Sequence, residues 1–264
     1  MATDPYAAPR TRVADAPLEA RDATFIPGGR NVPAGNGWTW IARGFELFRR
    51  QPGMWIALFI IFVALLGAVS MVPIVGSVVT LLFGPVMSAG MVTGCRAVDR
   101  GGELEIAHLF AGFKDKTGPL VAVGALYFAG WAVIMIVIFV IFGAGAAAAF
   151  LGTGGNVDAA AIGIGAALGV LLAVLIAMAL SLPLVMAVWF AAPLVAFHDI
   201  APLEAMKTSF RGCLKNLLPF LLYGVIVCVL AIVATIPLLL GWLALGPVFA
   251  ASFYTSYRDI FTDA

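Results

Sequence analysis

The first residues that could do chemistry are His198 and Asp199, which are adjacent in the chain. A histidine oriented by a carboxylate is a common general base. Neighbouring residues on a helix point about 100° apart, however, so this pair does not form a dyad by itself. The alternative is a cation at a helix end, close to the negative end of the helix dipole. His108 is the second candidate, and its alternative is a solvated side chain.

The chain offers little else to a reacting substrate or a metal. Its three cysteines, Cys95, Cys213 and Cys228, lack the spacing of a zinc site or of a disulfide framework, and we expect them to be small buried apolar side chains. With only two histidines and no acidic cluster, a metal hydrolase is disfavoured. We therefore expect no catalytic, cofactor-binding or metal-binding residues, and we predict that the protein is not an enzyme.

The elements that would have to position such residues are strongly apolar. Of 264 residues, 62% are hydrophobic and 11% are charged, whereas soluble domains have about 45–50% and about 25%. Residues 51–95 and 216–257 contain no Asp, Glu, Lys or Arg, and residues 117–198 contain only Asp158. About 20 apolar residues cross a bilayer, so each stretch is long enough for two crossings. The net charge of +1 gives no reason to expect nucleic acid as a partner.

These stretches predict an all-α, polytopic bundle of six transmembrane helices. The predicted helices cover approximately residues 53–72, 77–96, 119–150, 160–197, 219–235 and 242–257. The fourth is long enough to reach about 57 Å, which exceeds the hydrocarbon thickness of about 30 Å. Proline and glycine residues predict kinks within helices two, four and six, and one kinked crossing is favoured for helix four. The predicted kink residues are Gly84, Pro85, Pro183, Pro193, Gly246 and Pro247.

Lysine and arginine near the helix ends predict the orientation. With six crossings and both termini in the cytoplasm, every Lys and Arg lies on the cytoplasmic side, as the positive-inside rule requires of a bacterial-type inner-membrane protein. Residues 1–36 are rich in Ala, Pro, Gly and charge, and they contain no apolar signal segment. We predict that they form a disordered cytoplasmic tail before a membrane domain at residues 37–260.

The membrane domain also shows an internal repeat. Phe48-Arg49, Gly84-Pro85 and Arg96 correspond, at one constant offset, to Phe210-Arg211, Gly246-Pro247 and Arg258. A looser copy in the middle begins at Phe113-Lys114 and Gly118-Pro119. We predict three units, each an amphipathic segment followed by a transmembrane hairpin, at residues 37–100, 102–199 and 201–260.

The three amphipathic segments carry most of the informative polar residues. Helices of this kind lie along the membrane interface, with aromatic side chains in the acyl boundary and basic residues among the headgroups. The predicted anchors are Trp38, Phe45, Phe48, Phe110, Phe113 and Phe210. The predicted headgroup contacts are Arg43, Arg49, Arg50, Lys114, Lys116, Lys207, Arg211 and Lys215. Each Lys or Arg near an anionic surface contributes about 1 kcal/mol. The alternative is that these are ordinary connecting helices that obey the positive-inside rule.

Four motifs resemble a family of bacterial multi-pass inner-membrane proteins that is uncharacterised and known only by an ordered-locus label. They are GWTWI at residues 37–41, FRRQPG at 48–53, GCRAVDRG at 94–101 and HLFAGF at 108–113. The resemblance covers residues 33–262 and implies the same six-helix domain, but it supplies no reaction. More distantly, the layout is similar to the membrane domain of some glycerophosphodiester phosphodiesterases. Their soluble catalytic domain has no counterpart here, so no catalytic residue carries over.

These observations leave two functional interpretations. The first is a lipid-interacting or scaffolding protein of the cell envelope, whose partners are membrane lipids, including anionic ones. The alternative is a transporter or channel for an uncharged or amphipathic solute. That alternative predicts a water-accessible cavity near the bilayer midplane, lined by Ser181, Thr235 or Tyr223.

Overall fold

The protein is built of helices joined by short connections. The computed structural model describes residues 24–114, 116–152 and 159–263, so the predicted outer loop at residues 153–158 lies outside the described residues. Within the described residues there are ten α-helices and one 3₁₀ turn, Ala111–Phe113, and the one β-bridge joins Phe25 to Thr262. The helices are α1 (Asn36–Arg50), α2 (Pro52–Ser70), α3 (Val75–Asp99), α4 (Ile106–Leu109), α5 (Thr117–Gly152), α6 (Ala159–Trp189), α7 (Ala191–His198), α8 (Pro202–Lys215), α9 (Leu217–Thr235) and α10 (Trp242–Phe261). The prediction of an all-α fold is confirmed.

Five segments are long and apolar enough to cross a membrane, which confirms a multi-pass membrane protein. They are Pro52–Ser70, Val75–Asp99, Thr117–Gly143, Ala167–His198 and Leu217–Thr235. The predicted sixth crossing, α10, is not among them. Its second half contains Ser252, Tyr254, Thr255 and Ser256, which lower its hydropathy, and all four side chains are buried against the protein. The sixth crossing stays a prediction.

The predicted fourth helix is divided by a break at Phe190. Pro183 lies inside α6, whereas Pro193 lies in the first turn of α7, where its missing N–H is tolerated. The Phe190 N–H donates to Ser209 Oγ (2.9 Å), and Ser209 Oγ donates to the Met186 carbonyl (2.7 Å). The hydroxyl of α8 is thus inserted into the hydrogen bond that an unbroken helix would form between residues 190 and 186. Pro85 and Pro247 lie within continuous helices.

The amphipathic segments pack on the bundle in a regular order. Helix α1 packs most extensively against α10, the segment of α4 and the 3₁₀ turn packs against α3, and α8 packs against α6 and α7. Each amphipathic segment therefore covers the second hairpin helix of the unit before it. The order is cyclic, since the segment of the first unit covers the last helix of the third unit. The helices α3, α7 and α10 lie between the amphipathic segments, and α3 contacts both α7 and α10.

Small residues contribute to the faces of α1 and α8 that meet the protein, beside large buried residues such as Trp40, Leu47 and Met206. A Cβ on Gly44 would lie 2.7 Å from the Ser252 backbone nitrogen, so α1 and α10 approach closely. On α8 the buried residues include Ala205, Ser209 and Gly212. Phe48, predicted to be an interfacial anchor, is buried, whereas Trp38 and Phe45 on the neighbouring strip of α1 are 57% and 47% exposed.

The second amphipathic segment is not one continuous helix. It consists of the four-residue α4 and the 3₁₀ turn. A Cβ on Gly112 would lie 2.2 Å from the Val86 carbonyl oxygen, so the chain must press its backbone against α3 at this point. Phe110 and Phe113 are 42% and 39% exposed, and their role as interfacial anchors stays a prediction.

Residues 24–33, which were predicted to belong to the disordered tail, pack on the end of α10. Residues 1–23 lie outside the described residues, but residues 24–33 run along the end of α10. The N–H groups of Ile26 and Arg30 donate to the carbonyls of Phe261 and Ile260, both at 2.8 Å. Val32 is buried, and its N–H donates to Asn216 Oδ1 (2.8 Å). Residues 24–33 are therefore part of the folded domain, because their backbone groups find partners at the ends of α8 and α10.

Candidate functional site

One cavity among the described residues is a partly open groove of about 390 Å³. Helix α3 contributes Thr80, Leu81, Gly84, Pro85 and Ser88; α5 contributes Tyr127; α6 and α7 contribute Val185, Val188, Trp189 and Ala192; and α10 contributes Phe253. Almost the whole lining is apolar. A cavity of this volume falls in the range of about 300–1,000 Å³ that is typical of small-molecule sites.

The groove lies deep in the bundle. Ser88 and Tyr127 are about 15 Å from the ends of α3 and α5 that lead to the amphipathic segments, at 1.5 Å per residue. That distance is half of a hydrocarbon core of about 30 Å. Helix α3 is open here, because a Cβ on Gly84 would meet no atom within 4 Å. Pro85 cannot donate to the carbonyl of Leu81, which leaves a polar backbone group in the groove wall.

The hydroxyls that were predicted to line a midplane cavity lie elsewhere. Ser181 Oγ donates to the Met178 carbonyl (3.3 Å), and Thr235 Oγ1 donates to the Ala231 carbonyl (2.8 Å). Tyr223 bonds to Ser252 at 2.8 Å. None of the three is in the groove lining. A cavity lined by these residues stays a prediction, because helix faces cannot be assigned to a cavity before the packing order of the helices is known.

The two histidines have separate contacts. His198 Nε2 lies 2.5 Å from the Tyr257 hydroxyl, and its ring stacks on Phe25 with centroids 4.2 Å apart. Asp199 turns away to pair with Lys116. His108 Nδ1 accepts the Glu105 N–H (3.0 Å) within the cap of α4. The His198–Asp199 pair is therefore not a dyad.

Sequence reasoning missed Asp259, a polar residue whose carboxylate accepts three hydrogen bonds. Its carboxylate accepts hydrogen bonds from Arg30 Nη2 (2.8 Å), Asn36 Nδ2 (2.7 Å) and Trp40 Nε1 (2.8 Å). Burial alone would raise its pKa, but the hydrogen bonds from Trp40, Asn36 and Arg30 outweigh burial and hold the pKa below its ordinary value. An acid just before the end of the last helix resembles many surface residues, so nothing in the sequence alone pointed to it.

Some of the predicted headgroup residues have partners within the described part of the protein, and others do not. Arg43, Arg49, Lys114 and Arg211 are exposed and form no hydrogen bond or ion pair within the described ranges. Lys116 and Lys207 pair with Asp199 and Glu204, Lys215 donates to the carbonyls of Gly28 and Gly29, and Arg50 donates to the Val98 carbonyl. The hydrogen bond and charge of Lys207 lower the pKa of the exposed Glu204.

Two of the three cysteines are buried, and one is exposed. Cys95 and Cys213 are buried, as predicted, whereas Cys228 is exposed on α9. Burial raises the pKa of the Cys213 thiol to about 12. Within the described residues no group of three or more His, Cys, Asp or Glu side chains could hold a metal ion.

Comparison with known proteins supplies one relative. The chain is 31% identical over 257 residues to the probable inner membrane protein BTH_II0599 of Burkholderia thailandensis, an alignment that covers 87% of this chain and 92% of that protein. No protein-family model and no solved structure matches. The more distant similarity to glycerophosphodiester phosphodiesterases is not shown by these comparisons.

Proposed function

The chain belongs to the family of bacterial inner-membrane proteins that includes BTH_II0599, and from that premise we propose that it is a lipid-interacting protein whose groove holds an acyl chain. The observation that carries the proposal is the apolar groove of about 390 Å³ among α3, α5, α6, α7 and α10. Acyl chains are the most abundant apolar molecules at this depth of a bilayer. A groove that is open at its side admits them without moving a headgroup through the protein.

The topology belongs to the same proposal. We infer that α10 is the sixth crossing, because it packs beside α2 and α3 and because six crossings keep every Lys and Arg on one side. Both termini are then cytoplasmic, and residues 24–33 pack against the end of α10 on that side. The cyclic order in which the amphipathic segments cover α10, α3 and α6–α7 supports the three-unit repeat.

The exposed basic residues add an electrostatic part. Arg43, Arg49, Lys114 and Arg211 are free to reach headgroups, and Trp38, Phe45, Phe110 and Phe113 are exposed beside them. Each such charge contributes about 1 kcal/mol near an anionic surface. We propose no reaction for the protein, since both histidines hold structural contacts and a metal-binding cluster is missing from the described residues.

The second candidate function is transport of an uncharged or amphipathic solute. It is favoured by the depth of the groove and by the Leu81 carbonyl, which Pro85 leaves without its helical donor. Backbone carbonyls of this kind are tolerated at membrane depth where they line a water-filled cavity. Ser88 and Tyr127 would supply hydroxyls to the same solute.

Photo-crosslinking tests the acyl-chain proposal. Cells are supplied with a fatty acid that carries a diazirine in mid-chain, so that their phospholipids become labelled, and the irradiated protein is purified and digested. We expect adducts on groove peptides that contain Ser88 or Val185. The variant Gly84→Leu fills the groove and should lose most of these adducts, because an added side chain meets open space there.

Gly67→Leu is the matched control, since a Cβ at Gly67 on α2 also meets no atom within 4 Å. It should retain wild-type adducts in the groove. Equal groove labelling of Gly84→Leu and the wild type would refute acyl-chain binding. A solute flux into proteoliposomes that Gly84→Leu blocks would favour the transport alternative.

A further inference from the structure

A second, polar cavity of about 250 Å³ lies where the ends of α3 and α10 meet α1. Three arginines, Arg43, Arg50 and Arg258, and two acids, Glu46 and Asp99, contribute to its lining. Trp38 and Phe45 are exposed on the same helix as Arg43 and Arg50, which places α1 at the level of the headgroups. We propose that this polar cavity binds the headgroup of a lipid that carries a phosphodiester and a primary ammonium group, as phosphatidylethanolamine does.

Two of the guanidinium groups are held in place by the protein. Arg258 pairs with Asp99, which also accepts a hydrogen bond from the Tyr254 hydroxyl (3.0 Å). Arg50 Nη1 donates to the carbonyl of Val98 (2.8 Å). A guanidinium has five N–H donors, so each of these arginines keeps several donors for a ligand. Their positions are fixed before binding, which lowers the entropy that a ligand must offset.

The third guanidinium, on Arg43, makes no hydrogen bond or ion pair within the described part of the chain. Planar guanidinium groups match phosphate oxygens with two parallel hydrogen bonds, which makes arginine well suited to phosphodiester recognition. Arg43 and Arg50 are seven residues apart on α1 and therefore lie on one face. A phosphate that enters the polar cavity meets donors from α1 on one side and from Arg258 on the other.

The acids distinguish the bound headgroup from a simple anion. Asp99 is neutralised by Arg258, but Glu46 has no hydrogen bond or ion pair to any described residue and lies between Arg43 and Arg50 on α1. A carboxylate at this point repels a second negative charge and attracts an ammonium. A primary ammonium offers three N–H donors to a carboxylate, as the lysine side chain does. A choline group has none, and phosphatidylglycerol has no cation.

The inference rests on the proposed function only in taking a membrane lipid as the ligand, and it concerns a different cavity from the acyl groove. The test is native mass spectrometry of the full chain in detergent, titrated separately with phosphatidylethanolamine, phosphatidylcholine and phosphatidylglycerol that share the same acyl chains. We expect the ethanolamine lipid to bind about tenfold more tightly than the choline lipid, which corresponds to one charge-assisted hydrogen-bond set.

Two pocket variants and two controls complete the experiment. Glu46→Gln should abolish the preference for ethanolamine over choline, and Arg43→Gln should weaken both lipids by about tenfold. Glu103→Gln changes an exposed acid outside the polar cavity and should behave as the wild type. Arg49→Gln removes a surface cation outside the polar cavity and should keep the wild-type preference for ethanolamine over choline. Arg43 and Glu46 hold no described contact, so the variants should fold, and unchanged size-exclusion profiles check this.

Three results would overturn the inference: Glu46→Gln retains the preference, Arg43→Gln binds as the wild type, or phosphatidylglycerol binds more tightly than phosphatidylethanolamine. Gly84→Leu separates this site from the acyl groove. If that variant loses groove adducts and keeps the headgroup preference, both sites stand. If the wild type forms no groove adducts but shows the headgroup preference, the acyl proposal fails alone.

Discussion

At the scale of single residues, Asp259 links the N-terminal segment, α1 and α10. Its side chain is 6% exposed and accepts hydrogen bonds from Arg30, Asn36 and Trp40. Removal of a buried acceptor leaves each donor without its partner, which costs more than the net value of the hydrogen bonds themselves. We therefore expect a substitution at this residue to lower the stability of the fold.

We predict that Asp259→Asn lowers the free energy of unfolding by about 2 kcal/mol. The loss is moderate because the Arg30 side chain is 40% exposed and regains water when its partner is removed. Thermal unfolding of the purified protein in detergent measures the difference. Glu103→Gln, which changes an exposed acid, is the matched control and should unfold as the wild type. Equal stability of Asp259→Asn and the wild type would contradict the assigned role.

The pH dependence of this difference follows from the lowered pKa of Asp259. A carboxyl whose pKa is lower in the folded state stabilises the protein above the ordinary carboxyl pKa of 3.8, and that contribution is lost as the pH falls through the folded-state pKa. The stability gap between the wild type and Asp259→Asn should therefore be constant near neutral pH and narrow below about pH 4. A stability difference that increases in acid would contradict a lowered pKa of Asp259.

At the scale of helices, the break at Phe190 sets the shape of the groove. Val185, Val188, Trp189 and Ala192 line the groove on both sides of the break. The break is stabilised from outside by Ser209 of α8, an amphipathic helix with exposed Lys207 and Arg211. The surface helix and the groove therefore share one hydrogen-bonded joint.

Ser209→Ala should loosen this joint. The Phe190 N–H is buried and loses its acceptor, so we expect a cost of about 1–3 kcal/mol and faster hydrogen–deuterium exchange at residues 186–190. Exchange followed by mass spectrometry measures it. Thr208→Ala, on the same helix and without a hydrogen bond among the described side chains, should leave the exchange unchanged. Unchanged exchange in Ser209→Ala would show that the joint does not depend on α8.

Close packing of α1 on α10 gives a further prediction. Gly44→Ala places a methyl group 2.7 Å from the Ser252 backbone nitrogen, so the helices must separate. Overpacking of this kind costs about 1–3 kcal/mol. Gly53→Ala is the control, because a Cβ there meets no atom within 4 Å. Both variants are compared by thermal unfolding in detergent, and equal melting of Gly44→Ala and the wild type would show that α1 is not held against α10.

Helix positions were predictable, whereas helix faces were not. Hydropathy located the helices because a run of about 20 apolar residues is a strong pattern. The buried faces of α1 and α8 include Gly44 and Gly212, which the predicted aromatic anchors did not indicate. In a membrane protein, large apolar side chains are equally suited to lipid and to protein, so small residues are better indicators of helix contacts.

At the scale of the whole molecule, the amphipathic segments close the bundle. The helices α1 and α8 and the segment of α4 with the 3₁₀ turn each cover a different central helix, and residues 24–33 run along the end of α10. This closure was not predictable, because it depends on contacts between residues more than 200 positions apart, such as Trp40 with Asp259. The charge pattern predicted the orientation, since it needs no knowledge of packing.

The orientation of the bundle is the claim on which the groove and the polar cavity both depend. Single cysteines at Ile74, Leu238 or Lys207, in a chain without its three native cysteines, are labelled in intact spheroplasts with a membrane-impermeant maleimide. Ile74 and Leu238 are 81% and 90% exposed at the opposite end of the bundle from Lys207. The predicted orientation requires that the reagent labels positions 74 and 238, and that position 207 is labelled only after the membrane is opened. Labelling of position 207 in intact spheroplasts, or protection of position 238, would contradict it.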